Sequence, residues 1–75
     1  MTEKQLSDQV EKSRVKISKV NAGVGAYTRL ASMGLLPGIE IEVIRNQRRG
    51  PLIIAIDGNK LMLGRNMAQK IIVLT

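Results

Sequence analysis

Cysteine and histidine are both absent from this 75-residue sequence, as are tryptophan and phenylalanine, and Tyr27 is its single aromatic residue. Without cysteine there is no disulfide framework, no zinc–thiolate site and no thiol nucleophile. Without histidine the commonest general base and the commonest transition-metal ligand are missing. A tight zinc, copper or iron site built by one chain is therefore not expected, and the residues point to no cofactor and no catalytic group. A disulfide-free domain of this size is expected in the cytoplasm. Long apolar runs are missing too. The longest, PLIIAI, is too short to cross a bilayer, and the polar start MTEKQLSDQVEKSR lacks the apolar stretch of a signal peptide.

Acidic residues are scarce. Six Asp and Glu stand against twelve Lys and Arg, for a net charge of +6. Residues 1–14 are balanced, so the whole excess lies in residues 15–75. Such an excess suits an acidic protein partner, a nucleic acid or an anionic membrane surface, and equally a merely soluble exterior. The nucleic-acid alternative, a basic small-barrel binding module, lacks the aromatic platform on which single strands stack.

What is present is aliphatic, and its spacing orders the chain. Thr2 and Gln5 fit a capping box, and Leu6 and Val10 give two points of an apolar stripe. That is too little to hold a helix, so residues 1–14 are read as a loosely ordered or helical lead-in. VKISKV then alternates as a strand, with Val15 and Ile17 on one face. After the loop NAGVG, Ala26, Leu30 and Met33 fall at helical spacing. The stretch RLASMGLLPG ends that helix. With Met33 as C-cap, Gly34 takes the left-handed position and Leu35 meets Leu30, as in a Schellman motif. Pro37-Gly38 suits the centre of a type II turn.

Four strands follow. Ile39, Ile41 and Val43 share a face, as do Leu52, Ile54 and Ile56, then Leu61 and Leu63, and last Ile71 and Val73. A hairpin around Gly50-Pro51 pairs Val43 with Ile54 and Ile41 with Ile56. A two-residue turn at Gly58-Asn59 pairs Ile56 with Leu61 and Ile54 with Leu63. GRNMAQ reads as one helical turn before the last strand. Five short strands with turn signals suggest a small barrel that closes its own edges.

Enzyme motifs are missing. Asp57 sits beside a turn, Glu40 and Glu42 are only two carboxylates, and GVG lacks the frame of a phosphate loop. The outward residues carry what remains. Ile44 is expected opposite Ile53 on the outer face, with Met62 nearby, as an apolar patch. The elbow Leu35-Leu36-Pro37, together with Arg29, and the cluster Arg48-Arg49, which suits an anionic group, complete the candidate contact residues. Gly34, Gly38, Gly50, Pro51 and Gly58 are expected to shape turns.

RLASMGLLPGIEIEV followed by GPLIIAIDGNKLMLGRNMAQKIIV resembles the ferrous-iron transport protein A (FeoA) family over residues 15–75. The matching positions are Arg29, Leu30, Met33, Gly34, Leu35, Pro37 and Gly38, then Gly50, Pro51, Leu63, Ala68, Ile71 and Val73. Gly64 departs from the pattern, since many members have Arg there, although Arg65 is adjacent. The resemblance implies a mainly β, SH3-like barrel with a helix inserted after its first strand. It implies a non-enzymatic cytoplasmic accessory protein of ferrous-iron uptake. The implied partner is a membrane transporter with a cytoplasmic GTP-binding domain, the protein itself not being membrane-inserted. The SH3-like domain of metal-dependent repressors resembles the same family, which leaves open a role as an in-trans partner of such a repressor. Weak homo-oligomerisation is also left open.

Overall fold

The computed structural model describes residues 2–75. Six strands form one antiparallel sheet, in the order β1 (Glu3–Gln5), β6 (Ile71–Leu74), β2 (Arg14–Val20), β3 (Glu40–Arg45), β4 (Leu52–Ile56) and β5 (Asn59–Leu63). Helix α1 (Val24–Ser32) joins β2 to β3, and the single turn α2 (Arg65–Ala68) joins β5 to β6. The chain is mainly β with a helix after its first long strand, as the sequence pattern implies.

The alternation works as read. Val15, Ile17, Ile41, Val43, Leu52, Ile54, Ile56, Leu63, Ile71 and Val73 all point into one core, joined by Leu30, Leu35 and Ala68. Ile39 and Leu61 are only partly buried against it. With no aromatic ring inside the core, packing relies on branched aliphatics. These suit a pleated surface because their χ1 angles are already restricted.

The lead-in combines a short strand with one helical turn. Glu3–Gln5 pair with Gln5 opposite Ile72 and Lys4 opposite Val73, and Leu6–Asp8 follow as a single 3-10 turn. Leu6 is fully buried while Val10 is 72% exposed. The two are not one stripe. A sheet edge offers a short segment ladder hydrogen bonds that an isolated helical turn cannot match.

Helix α1 ends as its sequence dictates. The Leu35 N–H donates to the Leu30 carbonyl at 3.0 Å and the Gly34 N–H to the Ala31 carbonyl at 3.0 Å, the two bonds of a Schellman motif. Gly34 has φ +92°. The Ile39 N–H then reaches the Leu36 carbonyl at 3.2 Å across Gly38 at φ +91°, which makes Leu36–Ile39 a type II turn.

Three register details differ from the simple pattern. The second hairpin turns on Asp57-Gly58, not Gly58-Asn59, so Ile56 faces Asn59 and Ile54 faces Leu61. Both turn residues have positive φ, 50° and 81°, giving a type I′ turn whose twist matches the strands. The shift is by two in pairing and so keeps the same face inward. In the first hairpin Val43 does face Ile54, but a bulge at Ile44 then places Arg45, not Ile44, opposite Ile53. Finally, the sheet does not close into a ladder, because β1 and β5 remain its two edges.

A Cβ built on Gly34 meets only ordinary contact, with Ile56 at 3.9 Å. Gly34→Ala therefore isolates the backbone term. Its expected cost is about 1–2 kcal/mol, read as a lower melting temperature or urea midpoint with an unchanged m-value.

Candidate functional site

The candidate contact residues do not converge on one place. Leu35 leaves the set altogether. It is 1% exposed, because the Schellman bond turns its side chain back onto Leu30 inside the core. Leu36 and Pro37, next in the chain, point outward, with Leu36 39% exposed. Arg29 is exposed in the last turn of α1, where a cation complements the helix dipole.

The elbow carrying Leu36 is held from both sides. Its Schellman bonds fix the helix end, and the Gly38 N–H donates to the Ile17 carbonyl at 2.7 Å while the Ile17 N–H donates to the Ile39 carbonyl at 2.9 Å. An apolar, outward Leu36-Pro37 pair thus sits on backbone with little freedom. Beside the helix end, Met33, Ile56 and Leu61 line a shallow groove rimmed by Asp57, Asn59 and Lys60.

The outer sheet face holds a second group. Ile53 stands opposite Met62 across β4 and β5, and Met62 is 66% exposed. Ile44 and Ile53 are half-buried, so the patch is smaller than the alternation implied. At the β1 edge, Glu3 accepts from the Ser18 hydroxyl at 2.7 Å and lies 3.8 Å from the Lys19 Nζ.

The third group surrounds the β3–β4 loop. Arg48 and Arg49 are exposed. Only Arg14–Glu40 and Lys19–Glu3 lie within ion-pair distance among the described residues. Neither loop arginine therefore has a carboxylate partner there. Arg65, the residue after the anomalous Gly64, is what orders this end. Its Nε donates to the Gly50 carbonyl at 3.1 Å, its Nη1 to the Ser7 carbonyl at 3.3 Å, and its Nη2 to Asn46 Oδ1 at 2.7 Å and to the Gln47 carbonyl. Asn46 continues the network, its Nδ2 donating to the carbonyls of Ser7 at 3.0 Å and Gln9 at 2.6 Å. Sequence reasoning missed both residues. The usable signal was a lone Arg opening a short helical turn after a strand, which alternation alone does not weigh.

No three Asp or Glu side chains among the described residues gather where they could hold a metal ion. None of the described helices is long and apolar enough to cross a membrane.

The FeoA domain model matches residues 4–74. The chain belongs to the FeoA family. That span takes in the N-terminal strand as well as residues 15–75. A protein of Methanocaldococcus jannaschii assigned the name Fe(2+) transport protein A is 46% identical over 63 residues, which are 84% of this chain and 76% of that one. A crystal structure described as an iron uptake regulatory protein (FeoA) superposes with TM-score 0.90 at 29% identity, covering 96% of each chain. A manganese-dependent transcriptional repressor gives TM-score 0.84 at 25% identity, covering 97% of this chain but 41% of the repressor. This FeoA chain thus belongs to a family of ferrous-iron transport accessory proteins, and its fold recurs as one part of larger metal-responsive regulators.

Arg65→Ala removes donors from three backbone carbonyls and one side chain at once. A loss of about 2–3 kcal/mol is expected, with amide exchange accelerating first around residues 46–50. Leu35→Ala should cost about 2–4 kcal/mol as a core truncation.

Proposed function

We propose that this chain is a non-enzymatic cytoplasmic accessory module of ferrous-iron uptake that docks on the cytoplasmic GTP-binding part of the membrane transporter and modulates it. Membership of the FeoA family supports the pathway. The observation that carries the docking role is the outward Leu36-Pro37 elbow. Exposed apolar side chains on a rigid backbone lose little entropy when a partner covers them, and the net charge of +6 favours encounter with an acidic one.

A second reading has its own support in the likeness to part of the manganese-dependent repressor. In it, the module acts in trans on a metal-dependent repressor. Docking on that protein instead of the transporter would decide for it.

The deciding experiment is a titration of this protein against the soluble GTP-binding domain of the transporter from the same organism, with and without GTP. Saturable binding is expected, weakened at least about tenfold by Leu36→Asp with the melting temperature unchanged. Nucleotide-dependent affinity identifies a regulator of the GTP cycle. No binding up to high micromolar concentration removes the GTP-binding domain as target.

A further inference from the structure

The two edges of the sheet are not alike. Edge β1 has three residues, and its Gln5 carbonyl already accepts from Gln9 Nε2 at 3.2 Å. Edge β5 has five residues and pairs only with β4. In a two-residue hairpin with Ile56 opposite Asn59, Asn59, Leu61 and Leu63 exchange their main-chain bonds with β4, and the N–H and C=O of Lys60 and Met62 face away from the sheet. Among the described residues, no further backbone bond or side-chain cap reaches those four groups. They form a strand-pairing template.

We infer that the β5 edge is a self-association surface, on which a second copy of this chain pairs its own β5 antiparallel about a two-fold axis at Leu61. The free groups determine the register. Lys60 and Met62 must supply the hydrogen-bonded pairs, so Lys60 faces Met62 of the second copy and Met62 faces its Lys60, while Leu61 meets Leu61 as the closer, non-bonded pair. Every contact is compatible. Each lysine lies opposite a methionine whose side chain its own aliphatic stem can cover, and no like charges meet across the axis. The second Leu61 enters the inner side of the edge beside the groove lined by Met33, Ile56 and Leu61. The same operation on β1 centres on Lys4 and sets Lys4 against Lys4, which disfavours that edge.

A five-residue strand pair buries little surface, so the association is weak and requires concentrated protein. This inference involves only copies of this chain and is independent of the transporter.

Sedimentation equilibrium of the protein alone, from about 10 µM to about 1 mM, tests it together with amide chemical shifts on dilution. Concentration-dependent dimer is expected, with shifts concentrated in Asn59–Leu63. Met62→Lys faces Lys60 with a second lysine at two symmetry-related places and should weaken the dimer about tenfold. The double variant Lys60→Glu/Met62→Lys restores opposite charges and should recover affinity to within about threefold, now with marked salt sensitivity. Both positions are exposed, so folding is retained, and an unchanged melting temperature checks it. A monomer at 1 mM overturns the inference. So does a dimer indifferent to Met62→Lys, or one whose shifts map elsewhere.

Discussion

One arginine joins the ends of a sheet that does not join itself. The guanidinium of Arg65 reaches the N-terminal segment through Ser7, the β3–β4 loop through Asn46, Gln47 and Gly50, and anchors the turn between β5 and β6. Its partners are an amide oxygen and backbone carbonyls, not carboxylates. Such bonds use the fork geometry of arginine and remain as charge-assisted contacts where a surface ion pair would be screened. Asn46 doubles the effect by donating to Ser7 and Gln9. The turn after β1, with buried Leu6, and the loop after β3 are both located by this network.

The rest of the stability comes from an aliphatic core on the inner face of the sheet, with α1 contributing Leu30 and the elbow contributing Leu35. Helix α1 buries only Leu30 among its nine residues. Its position therefore depends on how it ends. The Schellman bonds and the type II turn after them set the direction in which the chain enters β3, and the same geometry that buries Leu35 turns Leu36 out. Stability and surface chemistry are divided between adjacent residues by one backbone device.

A fold stabilised this way leaves much of its exterior unconstrained. The outward elbow and the open β5 edge flank one shallow groove, lined by Met33, Ile56 and Leu61. The same fold recurs as one portion of a longer repressor chain, where a small β unit is joined to other parts.

The sequence by itself determined the alternating strands, the inward faces, the helix stop and the family. Each is a local or period-two property: Gly34, Pro37 and Gly38 have few backbone options, and a strand that must bury one face cannot change its parity without exposing it. Tertiary structure alone decided what depends on distant neighbours. Glu3–Gln5 have no strand signal of their own and become β1 because β6 offers a ladder. Ile44 alternates correctly and is displaced by a bulge. Arg65 is an unremarkable residue until Ser7, Asn46 and Gly50 are brought around it. Composition carries no information about such choices, because they arise from contacts between segments far apart in the chain.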